Sequence, residues 1–133
     1  MKRLNVAISC LSALLFLTTV VSAQEEFGIK EYDDFHRLLH MLQHEALPKN
    51  DVATIRAKAK ELIKLGDAIV KLGVPKGTNS DNVTSFNKAL EKFALALDRY
   101  NRDAKSGDDS AVKTSYGAVH EWFEELAGML PRK

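Results

Sequence analysis

The chain has 133 residues, 45% of them hydrophobic, with 19 Lys+Arg against 18 Asp+Glu and one cysteine. That length suits a single domain, and 28% charged residues with only three prolines exclude the disordered and fibrous classes. The near-zero net charge offers no basic face for nucleic acid. Cys10, alone, makes no internal disulfide, no four-thiolate zinc site and no Cys-x-x-Cys-His haem attachment.

Residues 1–23 read as a secretory signal peptide. Lys2 and Arg3 supply the positive start, an apolar run follows from Val6 to Val21, and Val21-Ser22-Ala23 offers a processing site before Gln24. Ser9, Ser12, Thr18 and Thr19 interrupt the run, which makes it poor as a membrane-spanning helix. Residues 24–133 are then the folded domain. It is expected in the periplasm or outside the cell, free of cysteine and of membrane attachment once cleaved.

The rest reads as four helices. The first covers 26–46, where Tyr32, Phe35, Leu39, Leu42 and Ala46 recur at three- and four-residue steps and Pro48 stops the run. Asn50 is the expected N-cap of the second helix, which begins at Asp51 and carries Val52, Ile55, Ala59, Leu62, Ile63, Ile69, Val70 and Leu72 inward. Gly73 and Pro75 close it. Ser80 or Asp81 caps the third helix, with Val83, Phe86, Leu90, Phe93, Ala94, Leu97 and Tyr100 buried. After Ser106-Gly107, Asp108 or Asp109 caps the fourth, with Val112, Tyr116, Val119, Phe123, Leu126 and Leu130 inward and Pro131 at its end. No segment alternates with the period of a strand. The pattern predicts an all-α, up-down-up-down antiparallel four-helix bundle with the fourth helix beside the first.

The least random feature is the placement of the histidines. His36, His40 and His44 lie at i, i+4 and i+8, so their rings form a ridge that drifts by about 40° per step. The ridge leaves the core flank at His36, roughly 60° from Leu39, and turns toward solvent at His44, roughly 140° away. His120 lies on the border of the fourth helix's apolar face, and antiparallel pairing puts it level with His36. This predicts a metal site at the seam of the first and fourth helices. His36, His40 and His120 are its core, with His44 or Glu124 as a further ligand. Neutral imidazoles without thiolate suit copper or zinc. Met41 is expected on the solvent side, away from His40.

In size, export signal and helix order, the chain resembles the four-helix cytochrome superfamily that includes cytochrome c-prime and the soluble periplasmic b-type cytochrome. That resemblance implies one site between an early residue of the first helix and a late histidine of the last, the places of His36 and His120. The local sequence Tyr116-Gly117-Ala118-Val119-His120 holds no Cys-x-x-Cys-His, so covalent haem is excluded. A non-covalent haem between His36 and His120 is the alternative that the resemblance implies. The segment His40-Met41-Leu42-Gln43-His44-Glu45-Ala46-Leu47-Pro48 is also similar to exported bacterial bundles with a histidine-rich first helix.

No Ser/His/Asp pattern, Gly-rich phosphate loop or nucleophile elbow points to an enzyme. The remaining rival is a metal-free interaction module, with Trp122 on the flank of the fourth helix as its patch.

Overall fold

A computed structural model describes residues 26–132, so the expected signal peptide, 1–23, lies outside the described residues. The first helix, α1 (Lys30–Met41), starts four residues later than the expected residue 26. The reason is local. Asp33 in the first turn reaches back, and its Oδ1 accepts the Phe27 N–H at 2.6 Å. Gly28 turns at φ +73°, and Ile29 is extended. The carboxylate thus satisfies a donor upstream of the helix, much as in a capping box.

At its other end α1 runs into a five-residue π-helix, Leu42–Ala46, in which the Leu47 N–H donates to Leu42 O at 2.9 Å. Pro48 explains the widening. Its ring has no N–H to give, and in a regular α-helix it would collide with the carbonyl of His44, four residues back. A wider turn keeps the helix going up to that proline. The chain ends in a Schellman arrangement: Asn50 at φ +52°, Asn50 N–H to Leu47 O at 3.0 Å and Asp51 N–H to Ala46 O at 2.9 Å. Asn50 therefore terminates the first helix instead of capping the second, a role open to it because asparagine tolerates the left-handed region.

Asp51 is the cap that follows. Its Oδ1 accepts the Thr54 N–H at 3.0 Å and its Oδ2 accepts the Thr54 hydroxyl at 2.7 Å. Those bonds, the hydroxyl's first, hold the Asp51 carboxyl below the usual aspartate range. The expected second helix is two, α2 (Val52–Ala57) and α3 (Ala59–Leu72), separated at Lys58, where ψ is −2°. Beside this bend the Tyr100 hydroxyl takes the Ile55 carbonyl at 2.5 Å.

Asn79, not Ser80 or Asp81, accepts from the Asp81 N–H and caps a short 3-10 turn, Ser80–Asn82. The long helix α4 (Val83–Ser106) follows, then α5 (Asp109–Gly128), the fourth helix of the sequence pattern. Asp108 caps α5 by accepting the Ala111 N–H at 2.8 Å. The protein is all-helical, with five α-helices and no strand among the described residues. Among these residues no helix is long and apolar enough to cross a membrane.

Helix α1 packs on α3, α3 on α4, α4 on α5, and α2 on α5. Most of the residues chosen by periodicity are buried, with Tyr32, Phe35, Leu42, Ile55, Leu62, Phe86, Phe93, Tyr100, Val112, Tyr116, Val119 and Phe123 fully so. Ile63, Val70, Val83, Ala94 and Leu130 are half-buried, and Leu72, beside the helix end, is 40% exposed. Burying each large side chain is worth about 1.5–3 kcal/mol, enough to hold the helices without disulfides. Phe35 joins three helices, its ring 5.4 Å from Phe93 and 4.8 Å from Phe123. The descending order of α5 meets the ascending order of α1: Phe123 stacks on His36, and the Tyr116 hydroxyl reaches Leu39 and Gln43.

Candidate metal centre

The four histidines fall in three environments. His36 is half-buried, with the Phe123 ring nearly parallel to its own and 5.9 Å away, and the Phe27 ring steeply inclined to it with centres 5.3 Å apart. His40, also half-buried, stands edge-on to His36 with ring centres 5.8 Å apart. His44 is exposed, and its ring lies only 4.3 Å from that of His40. The ridge expected from the i, i+4, i+8 spacing is thus present, and it tightens along the helix. The closest pair is the one that spans the change from α-helix to π-turn.

His120 sits on α5 between Tyr116 and Phe123, at the height of the α1 histidines. Its side chain is 31% exposed, with Nε2 3.8 Å from Glu124 Oε1, a pair that is ionic only when the imidazole is protonated. Among the described residues no three His, Cys, Asp or Glu side chains are disposed around a common metal position. The structure therefore brings together His40 and His44, places His36 next to them, and leaves His120 turned to Glu124. Two adjacent neutral imidazoles donate two nitrogen lone pairs to one ion and leave its other coordination positions open.

Phe123 is fully buried and lies nearly parallel to the His36 ring, and Phe27 meets that ring in a T-shaped contact. Met41 lies neither beside His40 nor on the solvent side. With Leu38 and Leu65 it lines a cleft of about 320 Å³ between α1 and α3, rimmed by Asp34, Arg37 and Glu61. Trp122 is half-buried and packs against the core.

Two residues behind the histidine pair carry more than their composition suggested. Tyr116 is fully buried, and its hydroxyl lies 3.2 Å from Gln43 Oε1 and 3.4 Å from Leu39 O. It donates its one proton between them, and burial pushes its pKa up. By periodicity Tyr116 is core filler, and Gln43, at i+4 from Leu39, lies on the flank of the same apolar face. The only signal in the sequence is a tyrosine where phenylalanine would fill the same space.

Arg56 was equally silent. Its Nη1 lies 3.1 Å from the carbonyls of Asp103 and Ala104 and 3.0 Å from that of Gly107. Its charge thereby sits at the C-terminus of α4, where the helix dipole favours a cation. The role is structural.

No family model, curated protein or solved structure matches the chain. The functional reading therefore stands on the chain's own residues.

Proposed function

We propose that this is an exported metal-binding protein that takes up copper or zinc through the histidines of α1 and of the π-turn that follows it, and is not an enzyme. The supporting observation is the 4.3 Å contact between the His40 and His44 rings at the protein surface. His40 and His44 form the primary pair. His36 and His120 flank it, and a bound ion recruits them by side-chain rotation, completing a site at the seam of α1 and α5. At equal geometry copper(II) binds imidazole sites more tightly than zinc. The architecture proposed for this site is an up-down-up-down bundle of four rods: α1 with its π-turn, α2 with α3, α4, and α5. Short connections between successive rods and the opposed order of contacts along α1 and α5 support it.

A metal ion competes with protons for imidazole nitrogen, so binding weakens as pH falls through the ordinary histidine range, near ~6.5. The test is a titration of tag-free protein with copper(II) and with zinc at about pH 7.5 and about pH 5, either side of that range. Wild type, His36→Ala, His40→Ala, His44→Ala and His120→Ala are compared. The expected result is binding at the higher pH that is lost most completely in His40→Ala and His44→Ala, with smaller losses in the other two. Equal binding by all five proteins overturns the reading.

The competing reading, a metal-free interaction module, draws support from Leu95, 62% exposed in the middle of α4. It predicts no stoichiometric metal binding by any of the five.

A further inference from the structure

We propose that Tyr116 and Gln43 are positioning residues for the His40–His44 pair, acting by pinning from α5 the junction of α1 and the π-turn that carries it. This role presupposes that His40 and His44 bind metal.

Three observations converge on it. First, the histidines straddle a backbone irregularity: His40 is in the last turn of α1, and His44 is within the π-helix Leu42–Ala46. A π-turn is less regular than the α-helix it interrupts, and such bulges are frequent at functional sites. Second, Pro48 denies this stretch a regular α-helical end, and the wider turn that results lacks the α-helical hydrogen bonds that would otherwise hold it. Third, a buried group from another helix holds this stretch. The Tyr116 hydroxyl lies 3.4 Å from Leu39 O, one residue before His40, and 3.2 Å from Gln43 Oε1, one residue before His44. Each anchoring point therefore immediately precedes one histidine of the pair.

The consequence is preorganisation. Two imidazoles on a helix whose turn can relax must be brought into line by the ion itself, at a cost in affinity. Held from behind, they are in line before the ion arrives. Groups that orient ligands without touching the metal typically change affinity by 10–100-fold when removed.

A matched control exists within the fold. Tyr100 is as fully buried as Tyr116, and its ring centre lies 6.0 Å away. Its hydroxyl also donates to a backbone carbonyl, but to Ile55 O of α2, near the bend between α2 and α3. Tyr100→Phe therefore removes a buried tyrosine hydroxyl bond without removing any hydrogen bond to Leu39 or Gln43.

The experiment compares wild type, Tyr116→Phe, Gln43→Leu, Tyr100→Phe and His44→Ala by copper(II) titration. It also records the electron paramagnetic resonance and visible spectra of each copper complex. In the metal-free proteins it follows amide exchange at Leu47, whose N–H closes the π-turn on Leu42 O. Tyr116→Phe and Gln43→Leu are expected to weaken copper(II) binding on the order of 10-fold. They should also change its spectrum and speed exchange at Leu47. Tyr100→Phe is expected to leave all three readings as in wild type.

Unchanged affinity and spectrum in Tyr116→Phe, with His44→Ala losing the metal, overturns the positioning role and leaves the metal reading intact. The same holds if Tyr100→Phe weakens binding as much as Tyr116→Phe, because the effect is then general loss of stability. Wild type that binds no copper overturns both.

Discussion

Arg56 of α2 and Asp109 of α5 form an ion pair, Nη2 to Oδ1 at 3.0 Å, across the turn that joins α4 to α5. The same guanidinium lies against three carbonyls at the C-terminus of α4, so one side chain from a third helix holds both ends of the turn. The two halves of this arrangement differ in worth. The carbonyl bonds are charge-assisted and lie at a helix end, whereas Asp109 is 73% exposed and its pairing is screened.

Arg56→Ala should therefore destabilise the protein by about 1.5–3 kcal/mol, while Asp109→Asn costs about 0.5 kcal/mol or less. Arg56→Lys should recover only part of the loss, since an ammonium lacks the planar fork that reaches carbonyls and carboxylate together. Urea unfolding of the three variants gives the order. Equal losses in Arg56→Ala and Asp109→Asn would show that the carbonyl contacts contribute nothing.

The three fully buried tyrosines should respond differently to loss of their hydroxyls. Tyr100 and Tyr116 donate to acceptors, whereas the Tyr32 hydroxyl is buried without a hydrogen-bond partner. Tyr100→Phe should cost about 1 kcal/mol. Tyr32→Phe removes a polar group that gains nothing in the core, so it should be neutral or stabilising by up to about 1 kcal/mol. Thermal melts of the two variants settle the contrast, and a lowered Tm for Tyr32→Phe contradicts it.

Gly66 of α3 lies where α1 and α4 close in. A Cβ built there would stand 2.6 Å from Leu97 Cδ1 and 3.2 Å from Phe35 Cε2. Any larger side chain must push a buried leucine off its rotamer. Gly66→Val should destabilise by about 1–3 kcal/mol, in spite of the entropy that glycine costs a helix. A denaturation midpoint at or above that of wild type would show that the helices separate at no cost.

Asp51 ties the start of α2 to pH. Its folded-state carboxyl is held below the ordinary aspartate value of ~3.9 by the Thr54 hydroxyl and then by the Thr54 N–H. A depressed carboxyl contributes stability that is present above the unfolded pKa and lost as pH falls through the folded one. Acidification from about pH 5 to about pH 2 should therefore erode it. Asp51→Asn keeps a good N-cap that does not titrate, so its Tm should fall less steeply over that window. Parallel curves for the two proteins would contradict this.

The sequence by itself determined that the chain is helical, which residues point inward, and where the helices begin and end to within a few positions. Each of these follows from forces between residues one or two turns apart: apolar periodicity, capping carboxylates, Gly and Pro as breakers. The ridge of His36, His40 and His44 is legible for the same reason, because i, i+4 neighbours on a helix meet in any tertiary setting. What the tertiary structure decided lies between helices. The expected second helix bends at Lys58 beside Ile55, whose carbonyl is taken by Tyr100 from forty-five residues away. The height of His120 beside α1 depends on how α5 packs, whereas its pairing with Glu124 is an i, i+4 contact within one helix. The Tyr116 hydroxyl finds Gln43 only because α5 lies against α1, and Arg56 finds its carbonyls only because α2 abuts the turn between α4 and α5. A hydrogen bond depends on the direction of its donor and acceptor, and hydrophobic periodicity specifies which face is buried without specifying direction.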